Sequence, residues 1–368
     1  MLNFSNKSIS DVENIVNQKY FKKILIISGS KSYKDSGAKI FIEKIIKNKK
    51  FFLFLKKNKY PELNELKKII LSIKSIKPDL VIAIGGGSVI DYAKIASSIN
   101  LSKDLNQRII NSSCKIKKNV KVLAIPTTAG SGAEVTSNAV IYIGKLKYSV
   151  EHELIKPDYF ALVPELIFNS KKIIKSSAGF DAISQAIESI ISKKSNNESV
   201  WLASKSLKIS TKYFIKHLKN INYENTYKMC LAANYSGKAI SISRTTAPHA
   251  VSYPFTSYFG ISHGHAVSLT LNNFLKFNYE NMKYSNCNFN LKNRFKKIFE
   301  STNTSNINDL LVFLDKIKKD SNLESNFKKL GIDIKKDYQK IIQNTNEQRL
   351  SNNPIKITKD DIKNILIK

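Results

Sequence analysis

Three of the chain's five histidines, His249, His263 and His265, fall within seventeen residues. Neutral imidazole is the commonest protein ligand for a catalytic transition metal. Earlier, the stretch GFDAISQAIE (179–188) places Asp181 and Gln185 four residues apart, on one face of a helix. These residues are candidates for a metal centre. A plainer reading makes Asp181 a helix N-cap and the histidines satisfied core residues. Arginine is scarce: only Arg108, Arg244, Arg294 and Arg349 occur among 60 Lys and Arg. Arg244 sits in SRTTAPH, five residues before His249. A guanidinium fork grips two anionic oxygens in a way an ammonium does not. Arg244, with Thr245 and Thr246, is therefore a candidate clamp for a phosphonate, phosphate or carboxylate. A structural ion pair with a carboxylate is the alternative.

Two glycine-bearing turns suggest a second kind of chemistry. Gly85-Gly86-Gly87-Ser88 follows the apolar run DLVIAI and opens a helix predicted over 88–98, with Ser88 as N-cap and Asp91 in the first turn. Glycines let a ligand approach the backbone, and a helix N-terminus favours an anion, so this reads as a pyrophosphate site. The second turn, PTTAGSGAEVT (126–136), also follows an apolar run. Its Thr127, Thr128, Ser131 and Thr136 suit ribose, phosphate or nicotinamide. The bland alternatives are a tight turn and a hydroxyl-rich loop capping the next helix. Ser30 and Lys31 follow the first strand with no acid beside them, an arrangement that tolerates a 2′-phosphate. Lys147 completes the candidate cofactor contacts.

The elements that must position these residues alternate through the first half. Strands are predicted at 23–27, 51–55, 79–84 and 120–125, and Leu63, Leu66, Ile69, Ile70, Ile73 and Ile76 mark one helix face. Such alternation, with near-continuous apolar strands, predicts a parallel sheet covered on both faces. A hairpin is expected at 139–143 and 147–150. Beyond 164–170 the periodicity turns helical. The stretch 283–360 is rich in Asn and Lys but keeps apolar spacing, so it is not read as disordered.

Length allows two domains with real cores. The N-terminal stretch lacks a secretory pattern and no apolar run could span a bilayer. Cys114, Cys230 and Cys287 form no CxxC pair, which fits a reducing compartment. A soluble, cytoplasmic protein without membrane association is expected. The formal charge of +31 raises the possibility of a polyanion binder. Lysine is spread evenly and arginine nearly absent, so the charge is read as a lysine-rich surface and no nucleic-acid partner is expected.

GGGSVIDYAK and IPTTAGSGAEVT, in that order, resemble signature segments of the iron-containing (group III) alcohol dehydrogenases. The resemblance runs from the first strand to about Asn278 and thins afterwards. It implies an α/β Rossmann-like N-terminal domain and an all-α C-terminal domain, the dehydroquinate synthase-like fold. The expected division is a nicotinamide-dinucleotide domain, 1–166, and a metal and substrate domain, 167–368. It implies NAD(P)H and one divalent metal, Fe(II) or Zn(II), held by Asp181, Gln185, His249 and His263. Where the family has a His four residues after the Asp, this chain has Gln185, which offers only an amide oxygen. Either Gln185 coordinates weakly or the site has three protein ligands. Many relatives carry a further active-site His at the position of Tyr253. Tyr253, His265 or a water chain is then the proton source, and Asp181, His249, His263, His265 and Tyr253 form the expected catalytic set.

The implied reaction is reduction of a small aldehyde. The segment around Arg244 and the Gln185 substitution are similar to the phosphonoacetaldehyde-reducing branch, so the expected substrate is phosphonoacetaldehyde, giving 2-hydroxyethylphosphonate. Lactaldehyde, butanal or sugar-derived aldehydes are the alternatives. A homo-oligomer, a dimer by analogy, is implied. Three rival readings remain: a dehydroquinate-synthase-like lyase, a polyanion-binding protein, and a homologue inactivated at Gln185.

Overall fold

In the computed structural model, which describes residues 3–46 and 49–367, strand alternation sets the first core. Strands β1 (Lys23–Gly29), β2 (Lys50–Lys56), β3 (Leu80–Gly85) and β4 (Lys121–Pro126) run parallel. A separate antiparallel hairpin follows, β5 (Asn138–Ile143) and β6 (Leu146–Glu151). The short β7 (Tyr159–Phe160) then joins β4, giving the sheet order β2-β1-β3-β4-β7. Side chains alternate across a strand. Leu25, Ile27, Val81, Ala83, Val122 and Ala124 enter one core, with the helices Leu63–Ile76 and Gly87–Ala96. Ile24, Ile26, Ile82, Ile84, Leu123 and Ile125 enter the other, with Phe41 and Ile42. Each fully buried branched side chain adds roughly 1.5–3 kcal/mol.

Two local readings need correction, and one strand was not foreseen. The helix after β3 starts at Gly87, and extended Gly86 takes the cap position that Ser88 was expected to hold. β7 is only two residues long and leaves no periodicity in the sequence. β2 lies at the sheet edge, with Phe51 44% and Leu53 41% exposed, so it is not covered on both faces.

The chain divides into two compact units. One holds the described residues up to 128 together with 132–170; the other holds 129–131 and 171 onward. The second unit is helical. Its helices Lys172–Ile191, Asn197–Lys219, Tyr223–Ser243, Ala247–Ser257 and His263–Glu280 carry most of the core, and the Asn/Lys-rich stretch forms further helices, among them Leu291–Thr302 and Ile307–Asp320. Pro254 lies inside the helix Ala247–Ser257 and cannot donate to Ala250. The backbone N–H of Asn346 takes that carbonyl instead, at 3.2 Å. Among the described residues no helix is long and apolar enough to cross a membrane.

His217 is almost fully buried, with Nδ1 3.1 Å from the Thr226 hydroxyl. Burial, aided by Lys175, lowers its pKa from 6.5 to about 4. A depressed pKa contributes stability above the unfolded value of 6.5, lost as pH falls towards 4. The full loss is roughly 3 kcal/mol. Denaturant melts of the parent and His217→Gln across this window should show a stability difference that changes with pH; a constant difference contradicts the assignment.

Candidate active site

The first unit presents its turns at the carboxyl ends of the strands. β1 leads to β2 on one side and to β3 on the other, so the strand order reverses there. In open α/β sheets ligands bind beyond the carboxyl ends at such a reversal. Ser30 and Lys31, both exposed, follow the end of β1, where the Ser30 N–H donates to Lys56 O at 3.0 Å. Gly85 pairs with Pro126 in the sheet register, and the Thr127 N–H donates to Gly85 O at 2.9 Å, so the two turns lie side by side.

Two adjacent glycines have different causes. A Cβ on Gly85 would fall 2.5 Å from the Val89 side chain, so packing of its own helix requires glycine. A Cβ on Gly86 would meet Thr128 at an ordinary 3.6 Å, and its φ of −73° suits any residue. Among the described residues nothing forces glycine at 86. The open space beside it fits close approach of a ligand to the backbone.

Other expected cofactor contacts are engaged within the protein. The Thr136 hydroxyl lies 2.8 Å from Lys94 Nζ. Lys94, 0% exposed, also reaches Ala133 O at 3.1 Å and Asn138 O at 2.5 Å. Asp91 accepts from the Val140 N–H at 3.1 Å. Burial pushes the Asp91 carboxyl up and the Lys94 amine down, each opposed by the charge of the other. Lys147 acts on Asp91 through its charge. Asp91, Thr136 and Lys147 thus belong to the setting that fixes the second turn and the hairpin. Lys94 was not foreseen; the clue was a charge on the buried stripe of its helix, four residues after Ile90.

In the second unit, single ligand atoms of Asp181, His249 and His263 all lie within 4.8 Å of one another. Asp181 and His249 are buried and His263 is half-buried. His249 Nε2 is 3.2 Å from Asp181 Oδ1. Two imidazoles and a carboxylate form a borderline nitrogen–oxygen donor set that fits Fe(II) or Zn(II). Gln185 adjoins this cluster, but its Oε1 accepts from Ser236 Oγ at 3.0 Å. Its Nε2 donates to Asp181 Oδ2 at 3.3 Å and to Ser131 O at 3.4 Å. Tyr253 packs on His263, with ring centroids 5.7 Å apart.

His265 is turned elsewhere. Its Nε2 lies 2.7 Å from Glu324 O and its N–H donates to Ser177 Oγ at 3.1 Å, so it is not part of the cluster. The Thr246 hydroxyl donates to Glu188 Oε2 at 3.0 Å, and the Thr245 hydroxyl accepts from Arg349 at 2.7 Å. Both threonines are buried, so the structure sets them as braces beside Arg244 rather than as contacts open to a substrate. Glu188 also lies 2.5 Å from His249 Nδ1. The sequence offered one clue to it: Glu188 follows Asp181 by seven residues, two helical turns, on the same face. Burial opposes a charged His249, but Glu188 and Asp181 outweigh it and hold the imidazole above its usual range.

The first unit thus carries two adjacent glycine-bearing turns at the carboxyl ends of a parallel sheet, and the second, helical unit carries a carboxylate–imidazole cluster. The chain belongs to the iron-containing alcohol dehydrogenase family. Residues 1–164 match "Iron-containing alcohol dehydrogenase" and residues 175–368 match "Fe-containing alcohol dehydrogenase family, C-terminal", so the match continues well beyond Asn278. A phosphonoacetaldehyde reductase of Streptomyces viridochromogenes is 30% identical over 56% of this chain and 55% of its own length. The match thus spans about half of that relative. An iron-containing alcohol dehydrogenase of Thermotoga maritima superposes with TM-score 0.81 at 26% identity, covering 97% of this chain and 94% of that one. Sulfoacetaldehyde reductase of Bifidobacterium kashiwanohense, solved with NAD+, gives TM-score 0.86 at 24% identity over 100% and 98% of the two chains. This last likeness concerns the fold.

Proposed function

We propose that this chain is an NAD(P)H- and metal-dependent aldehyde reductase, with 1–166 as its dinucleotide domain and 167–368 as its metal and substrate domain. The observation that carries the reading is the convergence of Asp181, His249 and His263. When bound, a divalent cation supplies Lewis-acid polarisation of a carbonyl oxygen, and a reduced nicotinamide supplies hydride. Asp181, His249 and His263 would hold the cation. Gln185 orients the Asp181 carboxylate, which supports a three-ligand centre. Ser30, Lys31, Gly86, Gly87, Ser88, Thr127 and Thr128 are the cofactor-facing candidates. Tyr253, packed on His263, is the protein's candidate proton donor.

Arg244 supports an anionic substrate. It sits at φ 61° and ψ 169°, a region almost confined to glycine and costing of order 1–3 kcal/mol. Bonds on both sides hold it there. Ser243 O accepts from Ser192 Oγ at 2.6 Å and Asn352 Nδ2 at 2.9 Å, and Thr245 O accepts from the same Asn352 amide at 3.0 Å. Such strain, retained at the chain's rarest cationic residue, suits a guanidinium that must be aimed. The 30% identity to a phosphonoacetaldehyde reductase points the same way, towards phosphonoacetaldehyde.

Fe(II)- or Zn(II)-loaded protein should consume NADH or NADPH with phosphonoacetaldehyde; no turnover with this, lactaldehyde or butanal would end the reading. Comparable rates with the two cofactors are expected from the acid-free Ser30–Lys31 turn. Arg244→Ala should lower kcat/KM for phosphonoacetaldehyde about 10–100-fold, the loss of one or two charge-assisted bonds. Butanal should change far less, and an equal loss for both would remove Arg244 from substrate binding.

A further inference from the structure

Glu188 is 0% exposed and lies on the Asp181 helix, and its two carboxylate oxygens have separate tasks. Oε2 accepts from the Thr246 N–H at 2.8 Å, the Thr246 hydroxyl at 3.0 Å and the His249 N–H at 3.5 Å. These N–H groups open the helix Ala247–Ser257, whose cap residue Thr246 makes no capping bond of its own. Glu188 therefore caps that helix from a neighbouring one and places negative charge at its positive end. Oε1 lies 2.5 Å from His249 Nδ1. An ionised carboxylate only accepts, so Nδ1 must carry the proton. Nε2, facing Asp181 Oδ1 at 3.2 Å, is then the nitrogen that would give up its proton and offer a lone pair to a cation.

We propose that Glu188 is a positioning residue that fixes the tautomer and aim of His249 for a divalent cation, an inference that rests on the metal reading above. The geometry separates this role from simple packing. A glutamine at 188 keeps nearly the same shape but has one acceptor oxygen and one donor nitrogen. It cannot accept from both Nδ1 of His249 and the N–H of Thr246. A carboxylate beyond an imidazole ligand also raises its basicity, and loss of such a partner typically weakens metal binding 10–100-fold.

The test is Co(II) and Zn(II) titration of metal-free full-length protein against a competing chelator, for the parent and Glu188→Gln. A drop in affinity of about 10–100-fold is the expected result. Affinity retained within about threefold while the melting temperature falls would leave Glu188 as a helix cap only and overturn the proposal. Should Glu188→Gln fail to fold, nitrogen-15 NMR of the Zn(II)-loaded parent decides. It should show His249 protonated at Nδ1 and bound through Nε2; binding through Nδ1 overturns the proposal. A parent that binds neither cation would instead overturn the metal reading itself, and this inference with it.

Discussion

Gly264→Ala is expected to abolish stoichiometric metal binding and to lower the melting temperature by a few degrees. Gly264 follows His263 in the first turn of its helix. A Cβ there would lie 1.9 Å from Ser177 O and 2.8 Å from Asp181 Cβ. The carbonyl belongs to backbone and cannot swing aside, so the two helices must separate. Overpacking of this kind costs about 1–3 kcal/mol or more. The separation acts directly on the distance between Asp181 and His263. Gly144 supplies the contrast: its surroundings are open, but its φ is +62°. Gly144→Ala should cost about 1–2 kcal/mol from backbone strain alone and leave metal content unchanged. Thermal melts with metal analysis of both purified variants check the pair. A Gly264→Ala protein with full metal content would show that the close helix approach does not govern the cluster.

Asp181→Asn is expected to reduce turnover about 1,000-fold or more, since Lewis-acid stabilisation is worth several kcal/mol and each 1.36 kcal/mol is tenfold in rate. Asparagine keeps the shape but removes the anionic oxygen 3.2 Å from His249 Nε2. Gln185→Ala should act more weakly, at about 10–100-fold in metal affinity, because the Gln185 amide is bonded to the Asp181 carboxylate and to Ser236. A Gln185→Ala effect as large as that of Asp181→Asn would make Gln185 a ligand. Metal affinity, measured beside steady-state rates, separates the outcomes.

Much of the fold was legible because it follows from periodicity. The helix Leu63–Ile76 agrees with its apolar stripe residue for residue, and β1, β3, β4 and the hairpin follow from apolar runs bounded by Gly and Pro. What periodicity does not encode was missed. The exposure of Phe51 and Leu53 depends on where β2 sits in the sheet. The helix start at Gly87 depends on the backbone of Gly86 rather than on the capping chemistry of Ser88. At the candidate metal cluster, Asp181 and three histidines stood out by residue type, and the family resemblance singled out His249 and His263 among them. Glu188, Arg349 and Asn352 were not, because a polar side chain becomes informative only once its partner is known. The same reason explains why Thr136, Thr245 and Thr246 read as ligand contacts when their hydroxyls serve Lys94, Arg349 and Glu188.

The braces on the segment 243–250 have a consequence for biosynthesis. Asn346, Arg349 and Asn352 bond to Ala250, Thr245 and the carbonyls flanking Arg244. Each lies about a hundred residues downstream of the group it holds. A nascent chain halted after His265 would contain every candidate ligand and still lack the bonds that settle Arg244 and complete the His249 helix. The bonds that settle this segment would then form only once residues 346–352 have been made, well after the last candidate ligand.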